Sequence, residues 1–314
     1  MDSKPMRIVF GETLLELADA YPELVVLDSD TSSSTQTKLF GDTYPDRFFN
    51  CGIAEGNMVG IAGGMASCGL IPVAAAFAFL MALRAGDDVR SLVAHNRLNV
   101  KLAGCYSGLS DFADGSSHQS VSDVGVMRAI PGIAILTPSD MVTTRAAVKA
   151  MLDYQGPVYI RLSREAVGSF HSVDLEFKIG RAYRVREGAD ITIASSGTTL
   201  RSALAAAEML EQKGIYAEVL DFTTVKPFDI RTLVESVSKT GALVTVEEHN
   251  ICGGFGSAAA EVLGEHYPVR MKRIGMEDCF GESGPYDQLL EKYGISPAYI
   301  VQSARELTDR RRAE

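Results

Sequence analysis

Residues 48 to 64 read FFNCGIAEGNMVGIAGG. Two aromatics and a cysteine lead into Gly52-Ile53-Ala54, then comes one carboxylate, Glu55, and then a small, apolar stretch. The pattern reads as a strand or loop handing over to a tightly packed helix. Glycines at 52, 60, 63 and 64 let backbones approach closely there. A Glu in a first helical turn also meets the positive end of the macrodipole. The local sequence leaves that structural role and a chemical role equally open.

The same handover recurs along the chain. Apolar runs at LVVLDSD (24–30), IPVAAAF (71–77), NVKLAG (99–104), IAILTPS (133–139) and VYIRLS (158–163) alternate with helix-like stretches such as MRIVFGETLLELADAY and SDMVTTRAAVKAMLDY. Near-continuous apolar strands suit parallel sheets buried on both faces. The alternation breaks near 165–190 and restarts with ITIASSG (191–197), AEVLDF (217–222), LVTVEE (243–248) and VRMKRIG (269–275). The expected fold class is α/β, with two doubly wound domains of mostly parallel sheet. The expected boundaries are 1–168, a linker at 169–188, and 189–314.

The bulk properties exclude several functions. The chain has 314 residues, a net charge of -10 and 46% hydrophobic residues; its pI is about 5.1 and its mean hydropathy +0.07. That balance argues against non-specific binding to nucleic acid or to an anionic membrane surface. It leaves room for an anionic small substrate. The five cysteines include no C-x-x-C pair, which suits a reduced, cytoplasmic protein. The longest apolar run, Ile71 to Leu83, stops at Arg84 and is too short to span a bilayer.

Three further stretches could carry chemistry. The polar loop DFADGSSHQ (111–119) follows a strand and therefore belongs where open α/β sheets bind ligands; it also reads as an ordinary turn, with His118 capping the next helix. In YIRLSRE, Arg161 and Arg164 end a strand and could clamp a phosphate, or pair with Glu165 on the surface. In EEHNICGGFGSAAAE (247–261), three glycines precede a helix. This is neither GxGxxG nor a P-loop, so tight packing is the stronger reading.

Together these four stretches resemble the C-terminal portion of a transketolase: its pyrimidine-binding domain followed by its C-terminal domain. FFNCGIAEGNMVGIAGGMA is similar to the family's pyrimidine-site motif, with its G-I-[AR]-E core. DGSSHQSVSDVGVMRAIPGIAILTPSD is similar to the D-G-x-[ST]-H-Q loop and the following strand. GPVYIRLSRE and EEHNICGGFGSAAAE follow in order. The resemblance covers nearly the whole chain.

The resemblance implies a role for each matching residue. Glu55 would hydrogen-bond the aminopyrimidine of thiamin diphosphate and favour the imino tautomer, whose exocyclic nitrogen takes the thiazolium C2 proton. His118 would be the second catalytic residue. Asp30 would lie near the cofactor. The pyrimidine would sit on an aromatic pocket at Phe77, Phe79 and Leu80, where Leu80 replaces the usual stacking aromatic. Asp114 and His118 would contact sugar hydroxyls or carbonyl, and Arg164 and Ser34 a phosphate. Tyr106 stands where the family has a His, and F-A-D-G replaces G-E-D-G. Both departures touch the substrate channel.

The family's metal-binding G-D-G is missing; Gly86-Asp87-Asp88 lacks the third glycine. The resemblance therefore implies a split enzyme. An N-terminal, diphosphate-binding partner chain would hold the Mg²⁺ or Ca²⁺, in an α2β2 assembly, and this chain would hold no metal and be inactive alone. The first expectation is ketol transfer between phosphorylated sugars. The alternatives are a subunit similar to 1-deoxyxylulose-5-phosphate synthase or to a 2-oxo acid decarboxylating enzyme, and a non-catalytic regulatory partner.

Overall fold

The computed structural model describes residues 3–312; the extreme ends of the two expected domains, residues 1, 2, 313 and 314, lie outside them. Fourteen strands occur among the described residues. They are β1 (Lys4–Pro5), β2 (Leu24–Asp28), β3 (Phe48–Asn50), β4 (Ile71–Phe77), β5 (Lys101–Cys105), β6 (Ala134–Leu136), β7 (Val158–Leu162), β8 (Ala166–Val167), β9 (Tyr183–Arg186), β10 (Ile191–Ser196), β11 (Ala217–Asp221), β12 (Thr224–Lys226), β13 (Ala242–Asn250) and β14 (Arg270–Met276).

The first sheet has the order β12-β6-β7-β5-β4-β2-β3 and the second β14-β13-β10-β11-β9. Within the first sheet every pairing is parallel except β12 on β6. In the second only β9 on β11 is antiparallel. The α/β class with mostly parallel sheets is thus observed. The apolar runs explain it: β2, β5, β6, β7, β10 and β11 are buried at every residue, as strands covered on both faces must be.

Two short strands lie in or beside the expected linker. β8 pairs with β1 and β9 edges the second sheet. β12 leaves the second half of the chain and completes the first sheet against β6. One core cluster also runs through both halves, from Leu27 and Met58 to Leu220 and Phe255.

Buried polar contacts join the halves as well. Arg161 lies within β7 and points inward: its Nε donates to Asp123 Oδ2 at 2.9 Å and its Nη2 to the Glu248 carbonyl at 2.8 Å. It is therefore interior and cannot clamp a phosphate. His171 lies between Asp140 of the first half and Asp221 of β11, at 3.1 and 3.4 Å. Asp140 also caps helix Met141–Asp153 through the Thr143 amide. The glycine-rich turn at 253–256 has an internal occupant, because Glu247 accepts the amides of Phe255 and Gly256 at 2.6 and 2.8 Å. Burial nevertheless pushes Glu247 up to about 7 against those two donors.

Candidate active site

The parallel strands of the first sheet deliver several loops to one edge. The segments after β2, β4, β5 and β7 carry Ser34, Phe79, Tyr106 with its loop, and Arg164 respectively. Ligands in open α/β sheets bind outside the carboxyl ends of the strands.

Glu55 opens helix Glu55–Ser67, the crossover from edge strand β3 to β4. Its side chain is 1% exposed. Oε2 accepts from Arg84 Nη1 at 3.0 Å. Oε1 is buried and has no partner. Leaving a buried acceptor unpaired costs about 1–3 kcal/mol, more for a charged group. Arg84 ends a π-helical turn, Leu80–Arg84, a local form frequent at functional sites.

The segment just before that turn carries the aromatics. The rings of Phe77 and Phe79 meet His118 edge-on at 5.9 and 5.6 Å, and Phe77 meets Tyr106 at 4.9 Å. His118 Nδ1 is 2.8 Å from Ser117 Oγ. His118 therefore packs on aromatics at the end of the short 3-10 turn Gly115–Ser117 and does not cap the next helix, Asp123–Ala129, whose N-cap residue is Ser122. Leu80 is half-buried and begins the π-helical turn.

The cationic side lies across Tyr106. Arg164 places its guanidinium carbon 5.1 Å from the Tyr106 ring centroid, and Nη1 donates to Asp111 Oδ1 at 3.0 Å. Its ion pair is thus with Asp111, not Glu165. Burial raises the Asp111 carboxyl, and so does the charge of Asp114, while Arg164 and His118 act the other way. Asp114, His118 and Arg164 therefore all bear on Asp111. Ser34 sits in the short helix Ser32–Thr35, pinned by buried Asp28, which accepts from the Thr31 amide at 2.5 Å and from the Thr35 and Thr37 hydroxyls at 2.7 and 2.8 Å. Asp30 is exposed and accepts from Asn50 Nδ2 at 2.9 Å. No contact joins it to the aromatic group.

The structure thus links Glu55 to the aromatic segment through Arg84, and Phe77, Phe79, His118, Tyr106 and Arg164 to one another. Arg84 and Arg7 were not singled out in the sequence, yet Arg84 holds Glu55 and Arg7 donates to the Ser34 carbonyl at 2.7 Å with its guanidinium carbon 5.2 Å from the Tyr106 ring centroid; Asp111 was noted only as part of the polar loop at 111–119. The available signal was a lone cation at the end of an apolar run, as in FLMALRAG. The surface flanking Glu55 is apolar: Ile53 is 75% exposed and Leu83 57%, with Ile61 and Leu92 also exposed. Among the described residues no helix is long and apolar enough to cross a membrane.

Comparisons with known proteins match both halves. Residues 2–169 match the family model for the transketolase pyrimidine binding domain, and 180–300 that for the transketolase C-terminal domain. The chain is 43% identical over 306 residues to the 6-deoxy-6-sulfo-D-fructose transketolase subunit SqwH of Clostridium sp. (strain MSTE9), covering 98% of this chain and 95% of that one. It is 36% identical over 301 residues to an apulose-4-phosphate transketolase subunit of Phocaeicola vulgatus, covering 96% of each. Among solved structures, a split gene transketolase described as an inactive beta4 tetramer superposes with a TM-score of 0.91 at 44% identity, over 97% of this chain and 98% of that one.

Proposed function

The chain belongs to the transketolase family, as a transketolase-type transferase subunit, and from that premise we propose that it is the pyrimidine-side half of a split enzyme moving a two-carbon ketol unit between sugars with a terminal anion. The observation that carries this reading is Glu55: one carboxylate oxygen held by Arg84, the other buried and unpartnered at the head of a helix.

The residues present fit thiamin diphosphate. The free oxygen of Glu55 suits a ring nitrogen of the aminopyrimidine, and Phe77, Phe79 and Leu80 offer an apolar bed beside it. When bound, the cofactor supplies the electron sink for making and breaking a bond next to a carbonyl. Glu55 would hold, at Oε1, a proton shared with a nitrogen of the aminopyrimidine. His118, braced by two aromatic edges and Ser117, orients or protonates a substrate oxygen. Asp114 lies exposed nearby to accept a sugar hydroxyl. Arg164 and Ser34 receive the terminal anion. The two relatives are named for a sulfonated and a phosphorylated sugar, so a terminal oxyanion is the shared chemistry.

The partner follows from the surface. An exposed apolar patch flanking a buried catalytic carboxylate supports coverage by another chain. We assign that chain the diphosphate and its divalent metal, Mg²⁺ or Ca²⁺, in an α2β2 assembly. The solved relative described as an inactive beta4 tetramer accords with inactivity of such a chain by itself. The reading is tested by mixing this chain with its candidate partner, thiamin diphosphate and Mg²⁺, and assaying two-carbon transfer from ketose phosphates. Transfer only in the complete mixture supports it; decarboxylation of a 2-oxo acid without ketol transfer overturns it.

A further inference from the structure

Asp114 and His118 stand on the connection at 106–122, which leaves β5 and has no regular helix or strand beyond the 3-10 turn Gly115–Ser117. The loop is pinched at its base, where Gly108 and Ser120 exchange backbone hydrogen bonds at 2.8 and 3.0 Å. Fixing each of its residues costs conformational entropy, so contacts from outside the loop must order it. Those contacts come from the second half of the chain. Leu109 and Val121 are buried in the core cluster of the second sheet, with Ile193 and Val246, and Phe112 packs against the same cluster.

Glu248, near the end of β13, makes the central contact. It is 2% exposed. Oε1 accepts from the Leu109 amide at 2.5 Å, and Oε2 accepts from the hydroxyls of Tyr286 and Thr198 at 2.6 and 2.9 Å. One carboxylate thus joins the loop to two other elements of the second half. Gly108 makes room for it: its φ is +63°, and a Cβ there would come within 2.6 Å of Glu248 Cδ. The left-handed turn and the close approach both require glycine. The segment at 281–284 runs along the rest of the loop. The Gly284 amide donates to the Phe112 carbonyl at 3.1 Å, and Gln119 Nε2, next to His118, donates to the Glu282 carbonyl at 3.0 Å. The loop is therefore held at its start, middle and end by the second half, while the His118 ring faces Phe77 and Phe79 of the first.

We propose that Glu248 is a positioning residue of the transfer reaction: by fixing the Leu109 amide it sets where the loop presents Asp114 and His118 to the substrate. The proposal rests on the role given above to those two residues. Glu248 touches no substrate and acts through the loop. The second half of the chain thereby enters the reaction through geometry, although it supplies none of the groups assigned to the substrate.

The test uses the complex of this chain with its partner subunit. Glu248→Leu keeps volume and burial and removes both acceptors; Glu248→Gln keeps an oxygen for the Leu109 amide. Glu248→Leu should lower kcat/KM for transfer from a ketose phosphate about 10- to 100-fold, the loss that follows a displacement of about 1 Å. The Kd of thiamin diphosphate with Mg²⁺ should stay within about threefold, because Glu55, Phe77 and Phe79 are untouched. Amide hydrogen exchange over 107–119 should quicken about tenfold or more, with exchange in β4 and β5 unchanged. Glu248→Gln should recover most of the turnover and of the protection. Tyr286→Phe removes one donor and leaves the carboxylate on Leu109; it should lower kcat/KM about three- to tenfold at unchanged cofactor affinity, and it decides the matter if Glu248→Leu does not fold. Unchanged transfer in the deciding variant would overturn the proposal. So would a loss of cofactor affinity as large as the loss of turnover, or equal behaviour of the Gln and Leu variants. His118→Ala is measured alongside. If it lowers transfer while Glu248→Leu does not, only the role of Glu248 falls. If neither lowers transfer, the loop lies outside the site and the reading beneath the proposal fails with it.

Discussion

Arg84 Nη1 donates to Glu55 Oε2 at 3.0 Å, while Oε1 of the same buried carboxylate has no partner. The pair fixes the carboxylate plane and leaves one oxygen presented. A purely structural helix-cap glutamate would have no need for an open, buried oxygen, whereas one that binds a ring nitrogen does.

Glu55→Gln preserves shape and burial but cannot share the proton. Turnover by the assembled enzyme should fall by about 100-fold or more, the range of a lost general acid–base group. The melting temperature should change little, because Arg84 still finds an amide oxygen. Activity near wild type would remove Glu55 from the mechanism.

Arg84→Ala deprives Oε2 of its donor. Arg84 is half exposed but Glu55 is buried, so leaving Oε2 without its donor should cost about 1–3 kcal/mol of stability. The cofactor's Kd in the complex, followed by quenching of intrinsic fluorescence, should rise about tenfold as Glu55 loses its orientation. Arg84→Lys should restore much of the affinity. An unchanged Kd would make the pair incidental to binding.

Gly104 of β5 faces the Tyr159 ring, where an added Cβ would come within 2.7 Å of two ring atoms. Tyr159 is fully buried and donates to Asp123 at 2.8 Å, so it has nowhere to move. Gly104→Ala should destabilise the chain by about 3 kcal/mol or more, at the upper end of overpacking costs, measured by urea unfolding. A loss below half of that would mean the core yields more than the packing suggests.

The junction at His171 predicts a pH dependence. Burial lowers the imidazole's affinity for a proton, but the hydrogen bond to Asp140 and the charge of Asp221 outweigh it, and its pKa is raised. Burial also raises Asp221, to about 7, against His171 and Ser139. For His171 the stabilisation is complete below its unfolded pKa of about 6.5 and is lost as pH rises through the folded value. For Asp221 the folded state binds the proton more tightly than the unfolded state, so stability declines from about pH 4 to about 7 and then levels. Asp140 acts oppositely but lower: burial is outweighed by hydrogen bonds from His171 and Thr143, its pKa falls to about 2, and its contribution is lost below about pH 4. The melting temperature should therefore fall between pH 6 and 8, and His171→Gln should flatten that slope. A slope unaltered in the variant would put the pH sensitivity elsewhere.

Much of the fold was legible because the buried strands are so uniformly apolar. LVVLD, VYIRL and ITIASS could be read from side chains alone. The short edge strands were harder. FFN at 48–50 read only as a strand or loop and TVK at 224–226 escaped notice, because both carry too few residues for a period to show and their pairing is set by distant partners, Val26–Asp28 and Ile135–Leu136. Glu55 stood out because it is alone in an apolar stretch. Arg161 and Arg164 looked alike in sequence, three residues apart at a strand end. Alternation sends Arg161 inward to Asp123, while Arg164, past the end of β7, reaches Asp111 and the Tyr106 ring. Arg7 and Arg84 were hidden because their importance lies in what they touch across the fold, 27 and 29 positions away.

If this chain supplies the pyrimidine side of a cofactor site completed by another chain, neither chain should hold the cofactor tightly by itself. Titration of thiamin diphosphate with Mg²⁺ into this chain alone, and into its mixture with the candidate partner, tests that most directly. Tight binding is expected in the mixture only, lost again in the mixture made with Glu55→Gln. Tight binding to this chain alone, or binding by the mixture that ignores the Glu55 substitution, would contradict it.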